Sequence, residues 1–180
     1  MNKAPVIKTK RLVLRGHILA DFEPLRAFFD TDRAKFVGAP ISDARLWQGF
    51  AADVGAWELL GMGGWAITLP DGTMIGQISV NQPKHFPEVE LGWMLFEGHS
   101  RKGYAAEAAI AVRNWAVANL PLTSLVSYID PENGRSILLA AKLGARIDNK
   151  ATKPQNETCL VFRYKLAAVD DTDGSVEAYA

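Results

Sequence analysis

The sequence has little of several features that often define a protein class. Cys159 is its only cysteine, which excludes internal disulfides and cysteine-based zinc clusters. Its 20 basic side chains balance its 20 acidic ones, which argues against a general surface for nucleic acids or for anionic membranes. No apolar run is long enough to cross a bilayer, and residues 1–5 lack the apolar stretch of a signal peptide. These absences predict a cytoplasmic protein without nucleic-acid or membrane partners.

Metal and thiol chemistry also have little support in the sequence. The three histidines, His17, His85 and His99, share no metal-ligand spacing, so we expect no metal site. Cys159 lies in a strand pattern without an identified histidine partner, and a buried apolar role is therefore favoured over a nucleophile.

The length of 180 residues fits one compact domain, and the residue pattern predicts an α+β fold. Strands are predicted from alternating or continuous apolar residues, and helices from helical spacing between caps. The predicted strands are residues 9–15, 65–69, 74–80, 89–95, 122–129 and 158–166, and the predicted helices begin near residues 22, 43, 104 and 133. We assign residues 1–166 to the domain and residues 167–180 to an acidic tail, which is either solvated or ordered against the partner subunit of a homodimer.

The segment from residue 92 to residue 108 is the most informative part of the sequence. In it an apolar run leads through a basic, glycine-containing turn into an alanine-rich helix. The first amides of a helix lack internal partners and carry partial positive charge, so such a turn binds a diphosphate well. Gly103 leaves the main chain accessible, and Arg101 and Lys102 add positive charge. The segment fits neither the Walker pattern nor the dinucleotide fingerprint.

The turn Ser100-Arg101-Lys102-Gly103-Tyr104-Ala105 resembles the pyrophosphate loop Gln/Arg-x-x-Gly-x-Gly/Ala of the GNAT superfamily of acetyl-CoA-dependent N-acetyltransferases. Ser100 departs from this pattern, because the family usually has Gln or Arg there. The resemblance continues through residues 9–15, Asn133-Gly134-Arg135-Ser136 and Lys142-Leu143-Gly144-Ala145, and covers roughly residues 8–165. Glu90-x-Gly92-Trp93 and Asn-x-x-Ser are closest to the ribosomal-protein N-terminal acetyltransferase branch. The fold implied is the GNAT fold, a mixed and mostly antiparallel central sheet flanked by helices.

The resemblance also implies roles for residues outside the loop. Backbone N–H groups around Met94 and Leu95 are implied to hold the pantetheine arm of acetyl-CoA and to polarise the thioester oxygen. Glu90 is implied to be the catalytic carboxylate, acting directly or through a water, with a surface strand residue as the alternative. Asn133 is implied both to cap its helix and to contact a pantetheine amide.

The group that protonates the departing thiolate is the weakest part of the resemblance. Many family members have a tyrosine where this sequence has Ala140. Ser136, three residues after Asn133 on the same helix face, is the substitute, and its hydroxyl would hydrogen-bond the sulfur. A structural role for Ser136 as a helix cap is the alternative.

Two further sets of residues have both a structural and a functional interpretation. Glu107 falls in the first turn of its helix, so a helix-dipole and capping role is favoured over catalysis. Four aromatic residues cluster where the family usually forms one wall of the acceptor cleft, and we expect most of them to pack in the core while at least one faces the acceptor; they are Trp47, Phe50, Trp57 and Trp65.

These residues favour an enzyme that binds acetyl-CoA and a primary amine together and transfers the acetyl group without a covalent enzyme intermediate. The acceptor stays open, either a protein N-terminus or a small amine. A non-catalytic acyl-CoA-binding or regulatory protein is the alternative, because Ser100 and Ala140 depart from the family pattern. A third, remote alternative is a domain that binds the phosphates of another nucleotide.

Overall fold

The computed structural model describes residues 3–155 and 157–166, so the predicted tail at residues 167–180 lies outside the described residues. Within these residues the chain forms four α-helices and eight strands, with two short 3-10 helices, Leu19–Asp21 and Asp32–Val37. The α-helices are α1 (Phe22–Phe29), α2 (Asp43–Leu60), α3 (Tyr104–Asn119) and α4 (Gly134–Lys142). The strands are β1 (Ile7–Lys8), β2 (Val13–Arg15), β3 (Gly64–Thr68), β4 (Met74–Asn81), β5 (Glu90–Leu95), β6 (Val126–Ile129), β7 (Arg146–Ile147) and β8 (Leu160–Arg163).

The strands form one mixed sheet in the order β1-β2-β3-β4-β5-β6-β8-β7. All neighbours are antiparallel except β5 and β6, which are parallel. The predicted α+β class and the mostly antiparallel sheet are therefore confirmed. None of the helices in the described part of the chain has the length and apolar character needed to cross a membrane.

Local sequence determines where the predicted helices begin and end. The Ser42 side chain accepts a hydrogen bond from the Arg45 N–H at the start of α2, and Gly61 ends that helix with a φ of 68°. At the start of α4, Asn133 Oδ1 accepts from the Ser136 N–H at 3.2 Å. These caps were visible in the sequence, which is why the helix positions were predicted well.

The predicted strand at residues 9–15 is wrong in its extent. The chain forms a small hairpin there, in which β1 pairs with β2 and the Thr9 N–H donates to the Leu12 carbonyl at 3.0 Å across the turn. The strands predicted at residues 122–129 and 158–166 are shorter than expected, and β7 was not predicted. Two residues are too few to show the alternating pattern of a strand. Such short strands are defined only by their pairing with neighbours in the sheet.

The two faces of the sheet carry different cores. Leu91 and Leu95 of β5 pack in the larger core against α3, whereas Met94 packs on the opposite face beside the side chains of α1 and α2. This alternation is expected for a strand. It assigns Glu90 and Gly92 to the same face as Met94.

The parallel pair β5 and β6 separates along its length. One register pair, Glu90 with Val126, joins the two strands, and the Val126 N–H donates to the Val89 carbonyl at 3.0 Å. Beyond this point the strands diverge and the sheet opens. The opening lies in the middle of the sheet and is the feature on which the candidate site is built.

Candidate functional site

A cavity of about 500 Å³ occupies the opening between β5 and β6. Residues from both strands line it, together with residues of β4, of the 3-10 helix Asp32–Val37 and of the start of α4. The polar side chains of its wall that enter the argument are Gln77, Ser79, Glu90, Tyr128, Asn133 and Ser136. Because the cavity lies where the sheet is open, side chains from both faces of the sheet reach it.

Side chains replace the missing backbone ladder where the strands separate. The Ser127 hydroxyl donates to the Leu91 carbonyl oxygen, and the Tyr128 N–H donates to Glu90 Oε1 at 3.4 Å. The Tyr164 hydroxyl lies 3.0 Å from Ser127 Oγ and, because Ser127 donates to Leu91, is the donor of that bond. These contacts satisfy backbone groups that would otherwise be left bare in the opening.

The strand alternation shows which backbone groups of β5 face the opening. The Phe96 N–H donates to the Ile75 carbonyl, so in the antiparallel ladder with β4 the backbone of Met94 also points to β4. The backbones of Trp93 and Leu95 point the other way. Of the amides around Met94 and Leu95, those of Trp93 and Leu95 therefore face the opening, while Met94 contributes to the cavity wall.

Glu90 lies in the cavity wall at the point where the sheet opens. Burial, together with the smaller effects of the charges of Glu157 and Asp53, raises the pKa of Glu90 to about 7 against the opposing hydrogen bond from the Tyr128 N–H. Its carboxyl group lies over Gly92, where an added Cβ would be 3.7 Å from Oε2 and 3.5 Å from Ser79 Oγ. A carboxyl group with this pKa exchanges a proton near neutral pH, which is the property that general acid–base catalysis needs.

A second buried carboxyl group lies on the same face of the sheet. Asp53 of α2 accepts hydrogen bonds from Gln77 Nε2 at 2.7 Å and from Asn81 Nδ2 at 3.5 Å. Burial raises the pKa of Asp53, while its hydrogen bonds and the nearby His17 lower it. This cluster holds the Gln77 amide against the cavity wall.

The predicted cofactor loop lies at the start of α3. Two of its residues have left-handed backbone conformations, with φ values of 62° at Arg101 and 79° at Gly103, and Gly98 just before the loop has a φ of 79°. Gly103 is the N-cap of α3 and has no capping side chain, so the first amides of the helix stay unpaired by a cap. The amide-rich turn predicted from the sequence is thus present, although its residues lie outside the walls of the cavity itself.

The loop is held by the turn between β1 and β2. Arg11 donates to Glu107 through its backbone N–H at 2.8 Å and Nε at 2.7 Å, and its Nη1 donates to the Lys102 carbonyl at 2.8 Å. Thr9 Oγ1 donates to Glu107 at 2.6 Å, and the Arg11 guanidinium lies 4.8 Å from the centre of the Tyr104 ring. Glu107 therefore connects α3 to the first hairpin, which is a structural role, as expected.

Ser100 accepts a hydrogen bond from an arginine of another element. Arg33 Nη2 lies 2.7 Å from Ser100 Oγ, and Arg33 Nε donates to the Leu95 carbonyl at 3.3 Å. The position where the resemblance expects Gln or Arg thus has a guanidinium beside it. Sequence reasoning missed Arg33, because no local pattern connects residues 67 positions apart in the chain.

The start of α4 brings Asn133 and Ser136 to the cavity wall together. The cap is Asn133, so the alternative that Ser136 caps the helix is not what the structure shows. The Ser136 hydroxyl makes no hydrogen bond within the described residues and stays available. Ala140 is fully buried in the core, which confirms that no polar group stands at that position.

The four aromatic residues considered from the sequence do not line the cavity. Trp57 and Trp65 are in the core beside Trp115, and Trp47 and Phe50 pack with Phe22. That at least one of the four faces the acceptor therefore stays a prediction, and it would concern a surface outside this cavity. The aromatic lining of the cavity comes instead from Phe36, Phe86, Trp93 and Tyr128.

Cys159 has the buried role that the sequence favoured over a nucleophile. Cys159 is buried in the cavity wall, and burial raises the pKa of its thiol, which disfavours the thiolate form that a nucleophile needs. Within residues 3–155 and 157–166 no group of three or more His, Cys, Asp or Glu side chains is arranged to hold a metal ion.

Comparison with known proteins identifies the family and supports the fold. The family described as "Acetyltransferase (GNAT) domain" matches residues 11–146. The crystal structure of an acetyltransferase from Agrobacterium tumefaciens strain C58 is 42% identical, with a TM-score of 0.86, over 91% of this chain and 95% of that one. A RimL ribosomal L7/L12 alpha-N-protein acetyltransferase in complex with coenzyme A shares the fold at 15% identity and a TM-score of 0.70, over 89% of this chain and 96% of that one.

A curated relative, the uncharacterized N-acetyltransferase YnaD of Bacillus subtilis (strain 168), is 34% identical over 65 residues. That match spans 35% of this chain and 38% of the relative. Fold and family together define the class of acetyl-CoA-dependent N-acetyltransferases. This chain belongs to the GNAT acetyltransferase family, and the family, fold and enzyme class predicted from the sequence are confirmed.

Proposed function

We propose that the protein transfers the acetyl group of acetyl-CoA to a primary amine by direct attack while both substrates are bound. The observation that carries the proposal is the cavity through the opened sheet, with Glu90 on one side and the starts of α3 and α4 near the other. The acceptor enters on the Glu90 face, and the pantetheine arm lies along the backbone of Trp93 and the N–H group of Leu95, which face the opening.

The chemistry requires a neutral amine, a polarised carbonyl and a stabilised leaving group. Glu90 takes a proton from the bound ammonium, and the free amine then attacks the carbonyl carbon of the thioester. A carbon–nitrogen bond forms, the carbon–sulfur bond breaks, and the electron pair leaves on sulfur. The open amides of β5 stabilise the negative charge on the carbonyl oxygen. Ser136 donates a hydrogen bond to the departing sulfur, which takes up the second proton that the nitrogen loses as the amide forms.

The cofactor is proposed to bind through the loop as well as through β5. Ser100, Arg101, Lys102, Gly103, Tyr104 and Ala105 form the loop that receives the diphosphate, and Asn133 contacts a pantetheine amide through its Nδ2 group, since its Oδ1 is used in the cap. The acceptor is proposed to be a protein N-terminus or a small amine. The cytoplasmic location and a homodimer stay predictions within this proposal.

Incubation of the protein with acetyl-CoA and pooled amines tests the proposal. We expect release of free CoA that depends on the amine, with a mass increase of the acceptor and none of the protein. Stable acetyl-CoA with every class of amine, despite tight binding, would instead support the non-catalytic alternative. Acetylation of the protein itself on the path to product would overturn direct transfer.

Ser136→Ala is expected to slow turnover by about tenfold and to leave the KM for acetyl-CoA nearly unchanged, because the hydroxyl acts on the leaving sulfur and not on the bound ground state. The pH dependence set by the amine and by Glu90 should keep its midpoint. Steady-state kinetics across pH checks this. A rise in the KM for acetyl-CoA with unchanged turnover would instead assign Ser136 to ground-state binding.

A further inference from the structure

Arg33 lies in the 3-10 helix Asp32–Val37, yet its side chain reaches the loop at the start of α3. Both of its hydrogen-bond partners, Ser100 Oγ and the Leu95 carbonyl, are neutral oxygens. Arg33 forms no ion pair within the described residues, and Glu97 is the acidic side chain whose charge it feels. A half-buried guanidinium usually pairs with a carboxylate, so this one has positive charge left for another partner.

A second arginine lies near enough to repel it. Burial lowers the pKa of Arg33, and the charge of Arg135, in the first turn of α4, lowers it further. A guanidinium group that is hydrogen-bonded to a turn with uncapped amides attracts an anion with several oxygens. Phosphate has the geometry that the guanidinium fork matches.

The segment that carries Arg33 also forms part of the cavity wall. Lys35, Phe36, Val37 and Gly38 line the cavity, and Lys35 Nζ lies 3.9 Å from Glu132 Oε2, just before α4. The segment therefore contacts the loop through Arg33 and the cavity through the residues that follow. A movement of Arg33 toward a ligand would be transmitted over a few residues to the wall.

Building on the proposed function, we infer that Arg33 binds a phosphate group of CoA and thereby links the cofactor loop to the wall of the acceptor cavity. Arg33 is thus a positioning residue for the acceptor as well as a ligand of the cofactor. If CoA binding orders this wall and thereby changes the affinity for the acceptor, thermodynamic linkage requires the bound acceptor to change the affinity for CoA by the same factor.

The first test is the affinity of the protein for CoA, measured by calorimetry. At low salt Arg33→Ala should weaken CoA binding by about ten- to a hundredfold, and the difference should shrink at about 0.5 M salt, because exposed charges are then screened. Arg26→Ala, which removes an exposed arginine of α1 that pairs with Asp30 and Asp43, is the matched control and should bind CoA as the wild type does. Wild-type affinity of Arg33→Ala at low salt would overturn the inference.

Dephospho-CoA distinguishes the phosphate groups. If Arg33→Ala weakens CoA and dephospho-CoA equally, the diphosphate is the partner; if the loss disappears with dephospho-CoA, the 3′-phosphate is. Either result supports phosphate binding. Arg33→Lys keeps the positive charge but lacks the forked guanidinium group. If Arg33→Ala does not fold, Arg33→Lys replaces it in the same measurement, and its loss of CoA affinity should be intermediate.

The second test distinguishes two roles of Arg33: its positive charge at the cofactor loop and its connection to the cavity wall at residues 35–38. In Arg33→Ala/Ser100→Arg the guanidinium returns to the loop on a different element, so CoA affinity should recover while the connection to residues 35–38 stays broken. Hydrogen exchange of residues 35–38 reads the connection: saturating CoA should slow it in the wild type and in neither variant. Equal protection in all three would overturn the link. Failure of the wild type to bind CoA at all would instead defeat the proposed function.

Discussion

Glu90→Gln is expected to lower turnover by about a hundred- to ten-thousandfold while preserving the binding of acetyl-CoA. The substitution keeps the shape of the side chain and removes its ability to take a proton. Since the pKa of Glu90 is about 7, the wild-type rate should rise with pH through about pH 7 as the carboxylate forms. The variant should lack this rise, and its deficit should shrink at high pH, where more of the amine is already neutral. Steady-state rates across pH check this.

The same substitution should make the protein more stable above neutral pH. Glu90 has a pKa of about 7 in the folded protein and an ordinary value of 4.5, so as the pH rises the unfolded chain ionises first. The stability associated with its neutral form is fully present below pH 4.5 and is lost as the pH rises to about 7. Glutamine stays neutral, so the free energy of unfolding should increase by up to about 3 kcal/mol at about pH 8 and stay unchanged at low pH.

Glu88→Gln is the matched control, because its carboxyl group has the opposite perturbation. Ion pairing with Arg163, at 2.6 Å, lowers the pKa of Glu88. Its removal should therefore destabilise the protein at neutral pH and leave turnover nearly intact. If Glu90→Gln turns over at the wild-type rate throughout, base catalysis by Glu90 is excluded. If Glu90→Gln loses activity without becoming more stable above neutral pH, burial does not destabilise the Glu90 carboxylate.

Replacement of Gly103 is expected to remove most of the thermal stabilisation that CoA provides. The φ of 79° strains any side chain, and an added Cβ would lie 3.0 Å from Arg11 Nη2, so the turn would shift together with the amides that receive the diphosphate. Gly103→Val should weaken CoA binding by at least about a hundredfold, which abolishes the melting shift at moderate CoA concentrations. Differential scanning fluorimetry with and without CoA measures it.

Two glycines with the same φ separate strain from ligand binding. Gly144 follows α4 at a φ of 79° and has open space around it, so Gly144→Ala should lower the melting temperature without altering the shift caused by CoA. Gly98, just before the loop, has the same φ and also has open space around it. Gly98→Ala therefore tests whether backbone strain near the loop is sufficient to abolish the melting shift caused by CoA. A full CoA-dependent shift in Gly103→Val would mean that the loop is not where the diphosphate binds.

The parts of the structure that could be predicted from the sequence are those with local signals. Ser42 and Gly61 determine the ends of α2, and the turn before Gly103 is recognisable because a basic glycine turn opens a helix. Glu90 was identified from its place on the strand leading to that turn. In each case the residues that determine the feature lie within one element or its immediate flank.

The parts that could not be predicted depend on contacts between distant segments. The turn between β1 and β2 folds onto Glu107, and Arg33 reaches Ser100, and neither contact leaves a periodic pattern. The raised pKa of Glu90, on strand β5, likewise arises from burial and from the charges of two distant residues, Glu157 and Asp53. The aromatic side chains that line the cavity were not predicted, because Phe36, in the short 3-10 helix, and Phe86, between β4 and β5, lie outside the elements predicted from the sequence.

The placement of the five tryptophans makes the protein its own optical probe. Trp57, Trp65 and Trp115 pack edge to face in the core with ring centres 4.5 to 5.6 Å apart, so their emission and their near-ultraviolet circular dichroism report whether the fold is intact. Trp93 lies in the cavity wall, and Trp47 is on the surface at 46% exposure. A Trp47→Phe background therefore leaves Trp93 as the emitter that a ligand in the cavity would quench, and binding becomes readable without a label.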